Sequence, residues 1–254
     1  MLWNNPGGKY EFSGVTETMV QFILATAIGA CLGYLLGSCN AAIIVVRLLK
    51  GEDIRNHGSH NAGLTNTLRC FGKGAAALTL IFDLTKGVIA VLLGYLFCNL
   101  LGAGLPFPDG DNIRYISFVA GIFAILGHVF PLYYGFKGGK GVLVGVSIFL
   151  VLCPLCFVSL IAVFALILWR SRYVSLASVI ATACAPVFIG LYTVFLYHEP
   201  VPYALLYAGL TAIMAAIIII KHHENIHRLR TGTENRFSFS KKKGNPTDAS
   251  EKER

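Results

Sequence analysis

The chain alternates long apolar runs with short polar segments. From Met19 to Val46 no residue carries a formal charge. Such a run, helical at about 1.5 Å per residue, is longer than the ~30 Å hydrocarbon layer of a bilayer. Further apolar stretches follow at about 74–98, 115–134, 141–168, 173–197 and 203–220. The stretch 141–168 holds Pro154 near its middle. Proline removes a helix donor and clashes with the preceding turn, so this stretch is expected to divide into two short spans, 141–152 and 155–168. Helices that short reach only about 18–21 Å and need local thinning of the bilayer or cover from neighbours. The pattern predicts an all-α, polytopic membrane helix bundle.

Composition agrees with the pattern and excludes a soluble enzyme. Hydrophobic residues make up 55% of the 254 positions and charged residues 13%, about half of the charged share that covers a globular domain. The net charge of +8 does not point to nucleic acid, because the Lys and Arg residues sit in short clusters between apolar runs and near the C-terminal end. Their placement instead discriminates between topologies, since Lys and Arg in short loops mark the cytoplasmic side. Six spans would separate Arg170 and Arg172 from the other basic loops. Seven spans with the N-terminus outside collect Arg47, Lys50, Arg55, Arg69, Lys73, Lys137, Lys140, Arg170, Arg172 and the basic residues from Lys221 onward on the inside. Only Lys9 and Arg114 remain outside. The expected organisation is an extracytoplasmic extension over 1–18, a seven-span domain over 19–230, and a basic, mobile cytoplasmic tail over 231–254. The first 18 residues are polar, with Lys9 outweighed by Glu11 and Glu17, and do not read as a cleavable signal. Cys153 and Cys156 form a C-x-x-C in an apolar setting with no second pair, which reads as packing.

With that topology, three polar clusters fall at the cytoplasmic ends of spans. The first, residues 57–69, offers Ser59, Asn61, Thr65 and Asn66 followed by Arg69. Helical spacing after Gly63 brings Thr65, Asn66 and Arg69 together, and an arginine beside such donors can grip an oxyanion in two places. The second, Phe136-Lys137-Gly138-Gly139-Lys140-Gly141, alternates lysine with glycine ahead of a helix, a composition suited to an anion-binding nest. It is not a Walker loop, because Gly141 follows Lys140 and Tyr134 stands where the first glycine belongs. In the third, His222 and Asn225 share one helix face while His223 and Glu224 point elsewhere. Singly, the first cluster reads at least as well as a loop capped by Ser59 or Asn61, the second better as a flexible basic turn and the third better as a stop-transfer flank. Stop-transfer loops, however, need only Lys and Arg, not Ser, Asn, Thr and a lysine–glycine alternation on one side. Within the second span Asp83 and Lys86 are spaced to pair as a structural ion pair or a support for the site, and His128 reads as a hydrogen-bonded packing histidine. No nucleophile elbow, no H-E-x-x-H and no His followed four residues later by Asp is present.

The ordered motifs carry a resemblance. Gly58-Ser59-His60-Asn61-Ala62-Gly63-Leu64-Thr65-Asn66 with Arg69, Asp83-x-x-Lys86-Gly87, Gly127-His128-x-Phe130-Pro131 ahead of the lysine–glycine loop, Arg170 to Ser178, and His222-x-Glu224-Asn225-Ile226 with Arg228-Leu229 are similar to the bacterial acyl-phosphate:glycerol-3-phosphate acyltransferases, the PlsY family. The match runs in order from about Leu35 to Phe237. The resemblance implies a seven-span protein of the bacterial inner membrane whose active site faces the cytosol. It implies transfer of a fatty acyl group from acyl phosphate to the 1-hydroxyl of sn-glycerol 3-phosphate, giving lysophosphatidic acid and phosphate. It assigns catalysis to Ser59, Arg69, Lys140, His222 and Asn225. Asn61, Thr65, Asn66, Lys137, Gly138, Gly139 and Gly141 are expected to bind substrate. His60 and Leu64 stand where the family commonly has glycine and alanine, and Lys221 and His223 where arginine is frequent. The partners expected are the two substrates and membrane lipids, with no cofactor, no metal, no nucleic acid and no obligate protein partner. The alternative is a transporter for a phosphorylated small anion, which should show internal repeats or paired broken helices; no convincing repeat is visible.

Overall fold

The computed structural model describes residues 8–103 and 112–237. Among them the secondary structure is helical throughout: α1 (Gly8–Ser38), α2 (Ala41–Lys50), α3 (Leu64–Leu100), α4 (Asn112–Val129), α5 (Val142–Leu152), α6 (Pro154–Ser171), α7 (Val174–Phe195), α8 (Val201–Ile220) and α9 (His223–Arg230). Short 3-10 turns lie at Ile54–Asn56 and Leu132–Tyr134. Among the described residues six helical stretches are long and apolar enough to cross a bilayer, and Val142–Leu152 is a shorter apolar helix. The protein is a multi-pass membrane helix bundle.

Local chemistry explains the breaks. The apolar run from Met19 to Val46, expected as one span, divides at Asn40. Ser38 Oγ donates back to Tyr34 O at 2.8 Å, and Asn40, with extended backbone, caps α2 by accepting from Ile43 N at 3.2 Å. Charge was the wrong signal for this boundary, because the polar groups that interrupt the helix are neutral. The helix of the second span starts earlier than expected, at Leu64, and Gly72 (φ 82°) breaks it just before the long apolar stretch. Gly63 rather than Ser59 or Asn61 stands at its N-terminus, with no side-chain cap. Pro154 divides the fourth stretch as expected: α5 ends at Leu152, and Pro154 occupies the first position of α6, where a missing N–H costs nothing.

Residues 8–18, placed by the sequence in an extension, belong to α1. The first seven residues and 238–254 lie outside the described residues. Residues 231–237, expected to begin a mobile tail, instead fold back on the bundle, where Phe237 N donates to Arg172 O at 2.7 Å.

Helices α1, α4, α6 and α8 run toward one end of the bundle, and α3, α5 and α7 run away from it. At that end Arg55 Nη1 donates to Tyr134 O at 2.8 Å, joining the 51–63 connection to the 130–141 connection. The centre is built on close helix contact. A Cβ on Gly33 or Gly37 of α1 would overlap the carbonyls of Ala120 or Ala124 on α4, and one on Gly127 would overlap Tyr34 O. In lipid, where apolar side chains gain nothing by avoiding the solvent, such small-residue seams hold helices by dispersion contact. The short α5 is wrapped by this frame: Val144, Gly145, Ser147, Ile148 and Phe149 are buried. At the opposite end of the bundle Arg114 pairs with Glu199 and lies 5.1 Å from the Tyr197 ring centre and 5.5 Å from that of Tyr207.

Candidate active site

The second and third clusters meet directly. Lys140, at the end of the glycine loop, donates to Asn225 Oδ1 on α9. Asn225 Nδ2 donates in turn to Glu234 Oε1 at 2.8 Å, so the amide presents its oxygen to the lysine and its nitrogen to a carboxylate. Glu234 also accepts from Ser175 Oγ at 2.9 Å and from Arg228 Nε at 2.7 Å. Burial alone would raise the Glu234 carboxyl, but the bonds from Arg228, Asn225 and Ser175 outweigh it and hold it below its ordinary value. Glu234 was not among the residues expected from the sequence. A lone acid nine residues beyond Asn225 carries no motif signal, and only the return of 231–237 to the bundle brings it here.

His222 is buried, and its Nδ1 donates to Ile218 O at 2.8 Å. Nε2 is therefore the nitrogen with an available lone pair. Burial, with repulsion from Lys140, lowers the imidazole to about 4 against the raising effect of the Ile218 bond, so His222 is neutral at physiological pH. Burial lowers the Lys140 ammonium to about 8, with Arg228 and Lys221 pushing the same way and Glu234 and Glu224 opposing. As expected from the spacing, His223 and Glu224 are exposed while His222 and Asn225 are turned inward.

The first cluster meets the second at Ala62 and Gly139: a Cβ on Gly139 would overlap Ala62 O on one side and His128 Nε2 on the other. The glycine amides expected to face an anion are engaged elsewhere. Gly138 N donates to Val129 O at 3.3 Å and Gly139 N to His128 O at 3.1 Å, which ties the loop to the end of α4. Lys137 is exposed and its carbonyl accepts from Arg55 Nη1 at 3.3 Å. Gly141, at φ 84°, turns the chain into α5.

Asn66, expected to bind substrate, is buried and spent on the loop itself. Its Oδ1 accepts from Ser59 N at 3.0 Å, and its Nδ2 faces His57 O, Asn61 O and Ile54 O at 2.9, 3.1 and 3.4 Å. This amide organises the turn that displays Ser59. His60 sits at φ 58°, a left-handed conformation that explains why glycine suits the position. Its Nδ1 contacts Arg55 O at 2.9 Å. Asp53 anchors the loop from beneath by accepting from Arg55 Nε at 3.0 Å and Arg47 Nη2 at 2.7 Å; the Arg55 hydrogen bonds hold its carboxyl well below the usual carboxylate range. Ser59 and Arg69 are exposed, and neither side chain makes a hydrogen bond or ion pair among the described residues. Asn61 and Thr65 are half-buried beside them. The three clusters share one end of the bundle, with contacts joining the first to the second and the second to the third.

The family model described as glycerol-3-phosphate acyltransferase matches residues 27–232. The chain belongs to the glycerol-3-phosphate acyltransferase family. Curated relatives of that name include one from Chlorobaculum tepidum, 39% identical over 226 residues and covering 82% of this chain and 95% of the relative. Another, from Syntrophotalea carbinolica, is 41% identical over 204 residues and covers 80% and 93%. The crystal structure of PlsY (YgiH), an integral membrane glycerol 3-phosphate acyltransferase, in its glycerol 3-phosphate form superposes with a TM-score of 0.68 at 34% identity, over 84% of this chain and 96% of that one. Its lysophosphatidic acid form gives 0.66 at 32% identity. The match covers all three clusters except Glu234, which lies two residues beyond it. Membership makes the chain an acyltransferase and sets the transporter reading aside.

Proposed function

We propose that the protein transfers a fatty acyl group from acyl phosphate to the 1-hydroxyl of sn-glycerol 3-phosphate, releasing lysophosphatidic acid and inorganic phosphate. The observation that carries this reading is the cation arrangement at the site. Lys140 is half-buried, and its close partner is the neutral amide of Asn225 rather than a carboxylate. A doubly charged phosphate supplies the missing counter-charge. Arg69 and Ser59 orient the reacting groups from the facing loop, and His222 with Asn225 positions glycerol phosphate.

An acyl phosphate is an anhydride with a good leaving group, so the protein has mainly to hold two anions side by side and meet the developing oxyanion. The hydroxyl oxygen attacks the acyl carbon, the acyl–phosphate C–O bond breaks, and phosphate departs. The hydroxyl proton needs an acceptor. An imidazole at about 4 is a weak base at neutral pH, whereas a phosphate monoester with its second ionisation near ~6 is better matched. This favours the substrate's own phosphate over His222 as proton acceptor.

The bundle is read as seven crossings with the N-terminus outside and the site at the cytosolic face of a bacterial inner membrane. Support comes from the basic loops gathered at the site end and from the alternating direction of α1, α3, α4, α5, α6, α7 and α8, with α5 crossing inside the cover of its neighbours. The acyl chain reaches the site from the lipid between helices.

The deciding experiment incubates purified protein with acyl phosphate and glycerol 3-phosphate. Lysophosphatidic acid and inorganic phosphate should appear in equal amounts, undiminished by a chelator. Absence of product, or dependence on a divalent metal, overturns the reading.

A further inference from the structure

Beneath the glycine loop lies an ionic cluster that the proposed chemistry does not use. Asp83 and Lys86 on α3 and His128 at the end of α4 are 1%, 5% and 4% exposed. Lys86 Nζ stands 2.8 Å from Asp83 Oδ1, a close ion contact without the direction of a hydrogen bond. The ammonium donates to Gly37 O at 3.3 Å, to Cys39 O at 3.2 Å and to His128 Nδ1 at 2.8 Å. An ammonium has three donors and no acceptor, so Nδ1 must accept and the imidazole proton resides on Nε2.

Each of these contacts bears on a loop of the site. Gly37 O lies in the last turn of α1 and Cys39 O just past its end, before Asn40, and carbonyls at a helix end lack intrahelical donors. Asn40 Nδ2 donates to Ala62 O at 3.4 Å, within the loop that displays Ser59. On the other side, His128 presents its Nε2 edge to Gly139, which passes between that edge and Ala62 O with no room for a Cβ. The His128 carbonyl holds the Gly139 amide at 3.1 Å. Lys140 is the next residue. One cluster thus sets both the end of α1, from which the Ser59 loop departs, and the ring against which the lysine loop is laid.

Stability alone does not account for the cluster. Ions removed from water cost several kcal/mol each, and well-packed apolar residues of similar volume commonly serve a fold as well or better. What apolar residues cannot do is hold two carbonyls and an imidazole edge in fixed directions.

We propose that Asp83, Lys86 and His128 are positioning residues that set the register of the Gly138–Gly141 loop against the 57–66 loop, and so fix where the Lys140 ammonium meets the phosphate of glycerol 3-phosphate. The inference rests on the reading of Lys140 given above. The three side chains touch no reactant.

The test uses the full chain in detergent and two variants. Asp83→Asn combined with Lys86→Met removes both charges together, so neither is stranded in the bundle. His128→Asn retains an acceptor for Lys86 but removes the edge beneath Gly139. Both should elute as folded protein with the KM for glycerol 3-phosphate raised about ten- to a hundred-fold, the cost of a misplaced binding group, while the KM for acyl phosphate stays within about two-fold. A cluster with a purely structural role would lower the yield and melting temperature and leave both KM values of the folded fraction unchanged. That result, or failure of both variants to fold, overturns the proposal. Lys140→Ala is run beside them: an unchanged KM for glycerol 3-phosphate there removes the reading of Lys140 and the proposal with it. A raised KM in Lys140→Ala with unaffected cluster variants sinks the proposal alone.

Discussion

The two ends of the bundle treat their cations in opposite ways. At the end away from the site, Arg114 has a carboxylate partner in Glu199 and two tyrosine rings within cation–π reach. At the site end, Arg69 is exposed without an ion partner among the described residues, and Lys140 rests on a neutral amide while the nearby carboxylate of Glu234 is taken by Arg228, Ser175 and Asn225. A cation matched by the protein's own acid closes a structure. A cation left with a neutral partner is poised for a substrate that brings the charge.

The sharpest way to break this contrast is to remove one cation from each end. Lys140→Ala should lower kcat/KM for glycerol 3-phosphate by about a hundred- to a thousand-fold, the usual loss when one charge-assisted donor leaves a site of this kind. The enzyme should remain folded, as steady-state assay and elution profile would show. A pH series refines the same point. Because the Lys140 ammonium is lowered to about 8, its charge is lost as the pH rises through that value, so the KM for glycerol 3-phosphate should climb above pH 8. Lys140→Arg, whose guanidinium stays charged, should carry that limb to higher pH. His222, at about 4, titrates below the neutral range and should add no inflection there.

Arg114→Gln should do the reverse of Lys140→Ala. About four-fifths of each side chain is buried, so stranding Glu199 without its partner should cost about 3 kcal/mol and lower the melting temperature by several degrees. The acyl-transfer rate should stay within about two-fold, since the pair lies at the far end from the site and acts on stability alone. The smallest effect is expected at His60→Gly. Relief of the left-handed backbone gains about 1 kcal/mol, but the lost contact to Arg55 O and the freer unfolded chain together take back a similar amount. Melting temperature and activity should both be nearly unchanged.

Much of this was legible from the residues alone. The long uncharged runs, the break at Pro154 and the low share of charge determined a helical membrane bundle, because lipid demands long apolar helices and no tertiary contact can alter that demand. The pairing of Asp83 with Lys86 followed from their spacing, and the ordered motifs were enough to indicate the family. The three-dimensional arrangement decided which polar groups are free and which are spent. Nothing local distinguishes Asn66, consumed by its own loop, from Asn225, turned toward Lys140; nor do the glycine amides of 138 and 139 reveal in sequence that α4 claims them. The neutral break at Asn40, the return of Glu234 to the site and the proton position on His128 likewise depend on atoms far apart along the chain. Periodicity and composition record what each segment must be solvated by. Hydrogen-bond partners are settled only when the segments are brought together, since each donor and acceptor has few places to fill and its neighbours decide by whom they are filled.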